Sequence, residues 1–145
     1  MSHYPFILQP GQWIGEGKIT FSTSPDSLRF YTKWVIEEAH SGIILCKQRV
    51  QMEGREEDLY NNFMIYKLES NAFSIQLNSE LLGTLEGKGV IDDKTIAWEF
   101  RYFPEFEGFE VYELINHGDY NIHAEYISTD EYRTMINGRL WKKSE

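Results

Sequence analysis

The sequence predicts an all-β chain, a single antiparallel up-and-down β-barrel of about ten strands. Three observations carry that expectation. Short runs of alternating apolar and polar residues recur along the whole chain, with turn residues between them. Aromatic residues make up 15% of the 145 residues, and together with β-branched residues they suit pleated surfaces. A glycine-punctuated stretch, Gly11-Gln12-Trp13-Ile14-Gly15-Glu16-Gly17, opens the first strand. Glycine inside a strand marks a sharp bend or a close approach by a neighbour.

Residues 1–10 read as a lead-in, because Pro5 and Pro10 block regular pairing. The first strand spans 12–21, and alternation puts Trp13, Gly15, Gly17, Ile19 and Phe21 on one face. Trp13 is placed to plug the end of a barrel; an ordinary core Trp beside a bulge is the alternative. Residues 22–27, with Pro25-Asp26, read as a turn. The second strand covers 28–38, with Phe30, Thr32, Trp34 and Ile36 on one face, and Ser41-Gly42 makes a tight connection. The third, 43–52, puts Cys46, Gln48, Val50 and Met52 opposite Lys47, Arg49 and Gln51. A charged loop at 54–58 leads to a fourth strand at 59–68 and a fifth at 73–78. The sixth, 82–90, carries Gly83, Gly87 and Gly89, so it is bent or closely approached. Asp92-Asp93 turns the chain into a seventh strand, 95–102, where Ile96, Trp98, Phe100 and Tyr102 face one way. After a loop at 103–108 come strands at 109–115, 120–127 and 132–141, with a hairpin turn at Gly118-Asp119 and a polar tail at 142–145. Helical periodicity and internal repeats are absent from the pattern.

Length and charge narrow the function. One domain spanning 1–145 is long enough for a real core. Fourteen basic against 23 acidic residues give a net charge of −9, which argues against nucleic acid or an anionic membrane as the main partner. The single cysteine, Cys46, excludes an intrachain disulfide and a Cys-rich zinc site, and mid-strand among apolar neighbours it reads as inert. No basic-then-apolar leader and no run of membrane-helix length is visible, so the expected setting is cytoplasmic.

Recognised motifs fail on inspection. Gly83-Thr84-Leu85-Glu86-Gly87-Lys88-Gly89 is one residue short of a phosphate-binding loop and has Gly89 where Ser or Thr must reach magnesium. His123-Ala124-Glu125 matches the His-x-Glu of zinc deaminases but has no downstream Pro-Cys-x-x-Cys. His117, Asp119, His123 and Glu125 read as polar groups on a hairpin surface, with His117 and His123 the weak metal candidates. The eighth strand is odd. Phe109, Val111 and Glu113 share one face and Glu110, Tyr112 and Leu114 the other, so a carboxylate turns inward whichever face is inside, unless the strand is bulged or ends at a wet rim. Arg101 or Arg133 is within reach to pair with it.

The Gly11-Gln12-Trp13 opening and the Arg139-Leu140-Trp141 ending make the chain resemble the calycin superfamily of lipocalins and fatty-acid-binding proteins. The resemblance implies a calycin-like barrel with Arg139 stacked on Trp13 in a cation–π contact. The opening is also similar to that of nitrobindin-type haem barrels and of small bacterial calycin-like domains. The connection between the first two strands is too short for the helical lid of fatty-acid-binding proteins. Lys18-Ile19-Thr20-Phe21 departs from the Tyr-Pro-Thr-Ile continuation of nitrobindins. A nitrobindin-like haem would need an axial His, and of the two in the C-terminal strands His123 faces outward with Asn121 and Glu125. No cofactor is therefore expected.

The leading expectation is a cytoplasmic carrier or sensor that holds a small apolar molecule. Its pocket would be lined by Trp34, Gln48, Phe63, Trp98, Phe100 and Tyr126, with Gln48 as polar anchor. A calycin-fold enzyme is the second expectation. Some such barrels, phenolic acid decarboxylases among them, use an acid and an Arg, and Tyr112, Glu113 and Arg133 are the candidates here. A filled barrel acting as an interaction module is the third.

Overall fold

Alternation along Gly11–Phe21 does produce a strand, β1, and the sheet closes on it. The computed structural model describes residues 6–80, 83–103, 106–116, 118–128 and 133–143. After β1 come β2 (Ser24–Ile36), β3 (Ile44–Met52), β4 (Leu59–Tyr66), β5 (Ala72–Ser79), β6 (Gly83–Ile91), β7 (Thr95–Phe103), β8 (Phe106–Asn116), β9 (Asp119–Ser128) and β10 (Arg133–Lys142). Each strand pairs antiparallel with the next, and β10 pairs back onto β1, so the ten form a closed up-and-down barrel. No helix among the described residues is long and apolar enough to cross a membrane.

Two boundaries differ from the sequence expectation by three residues or more. β2 begins at Ser24, so Pro25-Asp26 lies in the strand. The β1–β2 ladder jumps there, from Thr20 opposite Ser27 to Phe21 opposite Ser24. That bulge leaves Pro25 and Asp26 out of the ladder, so the missing N–H of proline costs no ladder bond. β8 begins at Phe106, which draws Gly108 out of the expected loop and sets it opposite Tyr126. The Ser41-Gly42 connection is the tight turn expected: both residues have positive φ, and His40 and Ile43 exchange backbone hydrogen bonds of 2.8 and 3.0 Å.

The glycines of β1 serve the closing seam. Gly17 faces Gly138 of β10. A Cβ on Gly17 would lie 2.1 Å from the Asn137 carbonyl oxygen, and one on Gly138 would lie 2.3 Å from that of Glu16. Only hydrogen fits at either position, so the two strands coil tightly around one another where the barrel shuts.

One end of the barrel is packed solid. The lead-in does not stay outside: Phe6–Leu8 forms a 3₁₀ turn whose Phe6 and Ile7 are fully buried. The Phe6 ring lies 5.3 Å from Trp13, 5.0 Å from Trp34 and 4.8 Å from Tyr112, and its amide donates to the Tyr120 hydroxyl at 3.1 Å. Beneath it Trp34 meets Phe63 at 4.9 Å and Trp98 stacks on Tyr112 at 5.1 Å. Rings at these separations gain edge and offset contacts beyond their area burial. Trp13 is buried in this layer, but Arg139 does not cover it. Arg139 pairs in the ladder with Glu16 on the outer face and reaches Asp119 at 3.5 Å, while the inward position beside it belongs to Leu140. The neighbours of the Trp13 ring are Phe6 and Tyr120.

Candidate functional site

Above the aromatic layer the barrel is hollow. A cavity of about 770 Å³ opens at the end that carries the β1–β2 and β3–β4 connections. Phe21, Leu28, Met52 and Leu59 sit near its mouth beside Glu53 and Arg55, and Phe63 and Tyr112 form its base. Ile19, Phe30, Val50, Leu77, Ile122 and Ile136 make the walls apolar.

Polar groups enter this apolar space in two places. On β2, β3 and β4, Asn61 Nδ2 donates to Gln48 Oε1 at 2.9 Å, and Gln48 Nε2 donates to Thr32 Oγ1 at 3.1 Å. On β8 and β9, the Tyr112 hydroxyl donates to Glu110 Oε1 at 2.7 Å and the Tyr126 hydroxyl donates to Glu110 Oε2. β3 and β8 stand five strands apart whichever way the barrel is traversed, so the two groups face each other across the cavity. The local sequence explains the second group. Gly108, opposite Tyr126, has no side chain to hold the ring away; a Cβ there would lie 2.1 Å from Tyr126 Cδ1. The phenol leans over Gly108 toward Glu110, the next inward residue of β8.

Burial pushes the Glu110 carboxyl above its ordinary range, and the two phenol donors pull the other way without cancelling it. Burial and the adjacent carboxylate push the Tyr112 and Tyr126 phenols well above theirs. Cys46, in the packed layer, is pushed up to about 12, chiefly by burial and then by Glu37.

Of the residues expected to line a pocket, Gln48, Phe63 and Tyr126 do so. Trp34, Trp98 and Phe100 are buried in the core and are not among the residues that line the cavity. The trio Tyr112, Glu113 and Arg133 does not assemble. Tyr112 points in, Glu113 is exposed on the outer face, and Arg133 is an outer residue whose guanidinium lies 3.7 Å from Glu125. The inward carboxylate is Glu110, two residues earlier and on the face of Tyr112. The sequence held the signal in the face shared by Glu110 and Tyr112 but not the means to choose between the faces. Thr32 and Asn61 were equally unmarked as site residues.

His123 lies on the outer surface, with Nδ1 2.7 Å from Asn137 Oδ1 and Nε2 2.9 Å from Glu125 Oε2. The Asn137 and Glu125 hydrogen bonds raise its pKa. Asp119 is turned to Arg139, and the described residues hold no group of three His, Cys, Asp or Glu side chains able to bind a metal. His117 lies outside the described residues. The cavity lining contains no histidine, so the described residues do not suit a His-ligated haem.

Fold and cavity together define a class: a closed ten-stranded up-and-down barrel, sealed at one end and open at the other. Two solved structures share that fold. Rv2717c from M. tuberculosis matches with a TM-score of 0.73 at 11% identity, covering 93% of this chain and 92% of its own. The S-type phycobiliprotein lyase CPES from Guillardia theta matches with a TM-score of 0.71 at 10% identity, covering 94% and 89%. At such identities the likeness is one of fold. No family model and no curated protein matches the sequence.

Proposed function

We propose that this protein binds a small, largely apolar molecule inside its barrel, as a carrier or sensor. The observation that carries the reading is the cavity of about 770 Å³, with apolar walls and two facing sets of hydrogen-bonding side chains. Apolar enclosure supplies affinity, and a few fixed polar groups orient the ligand, which is the usual composition of a small-molecule site. A phycobiliprotein lyase with the same fold accords with a barrel of this type handling small molecules. An enzymatic reading keeps one observation in its favour, a carboxyl of raised pKa held between two phenols, which is a composition suited to proton transfer. It no longer has an inward Arg beside the acid.

The test is titration with a neutral apolar dye such as Nile red, followed by dye emission and tryptophan fluorescence. One saturable site per chain is expected. Gln48→Leu removes the link between Thr32 and Asn61 and should weaken polar-headed ligands more than hydrocarbons. Mass spectrometry of the recovered ligand separates carrier from enzyme, since a carrier returns it unchanged. Absence of saturable binding by folded protein refutes the proposal and favours a filled interaction module.

A further inference from the structure

The apolar cavity holds a carboxylate that no cation in the chain meets. Of the 14 lysines and arginines, all within the described residues, Arg55 alone lines the cavity, and it sits exposed at the mouth. Glu110 forms no ion pair among the described residues; its partners are the Tyr112 and Tyr126 hydroxyls, one on each oxygen. Trp98 of β7 and Ala124 of β9, its partners in the two ladders, carry no charge. A carboxylate in a hollow apolar site is costly unless a counter-charge reaches it. Two phenols each satisfy one lone pair and leave others free toward the cavity. We propose that the ligand is an apolar molecule carrying a protonated nitrogen, and that this nitrogen seats on Glu110. The inference rests on the binding reading above and specifies its chemistry. A fatty acid would set a second carboxylate against Glu110. An ammonium instead supplies the missing charge and donates to an oriented acceptor. The net charge of −9 favours its approach.

The probes are three molecules with one apolar body: 4-phenylbutylamine, 4-phenylbutanol and 4-phenylbutyrate. Calorimetric titration should give the amine at least about tenfold tighter binding than the alcohol, the scale of one charge-assisted hydrogen bond, with the butyrate weakest. Glu110→Gln should abolish the amine's advantage over the alcohol, whatever it does to the alcohol itself. Wild-type protein gives a second measurement that needs no variant. The amine's advantage should grow as pH is raised from the acid side and Glu110 ionises, while the amine itself stays protonated up to about pH 9. The titratable groups facing Glu110 are Tyr112 and Tyr126, whose phenols stay protonated throughout; Glu53 and Arg55 stand at the mouth. An amine no tighter than the alcohol, or a preference that survives Glu110→Gln or ignores pH, overturns the inference and leaves the binding proposal standing. Failure of all three probes on folded protein overturns the inference, and failure of Nile red as well removes the binding proposal with it.

Discussion

The sealed end of the barrel depends on Phe6, and Phe6→Ala measures how much. The side chain is fully buried, with ring neighbours Trp13, Trp34 and Tyr112 contributed by β1, β2 and β8. Those three strands are fixed by their own ladders, so the hole left by truncation cannot collapse. Phe→Ala in a core costs roughly 3–5 kcal/mol, and the rigid surround places this site toward the upper part of that range, about 4 kcal/mol. The Phe6 amide remains, but its bond to the Tyr120 hydroxyl loses the packing that holds it in register. In a domain of this length each kcal/mol moves the melting midpoint by about 3 °C, so a drop of about 12 °C is expected. Urea denaturation followed by tryptophan emission should show a lower midpoint with an unchanged m-value. Arg139→Ala is the control, an exposed ion pair at 3.5 Å whose loss costs about 0.5 kcal/mol. A Phe6→Ala midpoint indistinguishable from that control refutes the reasoning, because the end would then hold without its N-terminal turn.

Other expectations follow from the same contacts. Gly108→Ala drives a methyl into the Tyr126 ring and should destabilise by about 1–3 kcal/mol in urea, while shifting the near-ultraviolet tyrosine signal; wild-type stability would count against the packing described. Glu110 has a raised folded pKa, so the stability it contributes is fully present below its unfolded value of about 4.3 and is lost as pH rises through the folded value. Wild-type stability minus that of Glu110→Gln should therefore fall with rising pH across that window, and a difference that rises instead would reverse the assignment. Cys46, with its pKa pushed up to about 12, should resist a disulfide reagent at pH 8 in the native protein and react promptly in urea. Prompt native labelling would mean that the packed end opens on the labelling timescale.

Alternation read the strands well because the sheet has one wet face and one dry face. Trp13, Trp34, Phe63, Trp98 and Tyr112 all turn inward by simple parity. Parity says which side chains turn inward but not which of them meet the hollow, which is why Trp34, Trp98 and Phe100 are expected at a ligand and are packed among other rings and aliphatic side chains instead. It also fails on β8, where each face offers apolar residues and one carboxylate. Gly108 resolves that strand, and only once it is known to sit in the ladder opposite Tyr126. Phe6 was invisible for a different reason. It lies between prolines in a segment without periodicity, and its partner Tyr120 is 114 residues away. Arg139 was misplaced by following a family habit where parity with Glu16 put it outside.

The seam of β1 against β10 also bears on how the chain reaches this structure. Trp13 pairs with Lys142, so 129 residues separate partners in the ladder that closes the barrel. Every other ladder joins neighbours in sequence and can form by local zippering, whereas this one must await the last strand. During synthesis β1 emerges first and keeps one backbone edge unpaired until β10 follows, a period in which another chain's strand can take its place. In the native seam the residue opposite Gly17 is Gly138, and a Cβ there would lie 2.3 Å from the Glu16 carbonyl oxygen, so a strand that takes this place in the same geometry needs glycine at that register. The glycine pair that shuts the barrel is thus a steric condition on the closing strand, one that β10 meets in its native register.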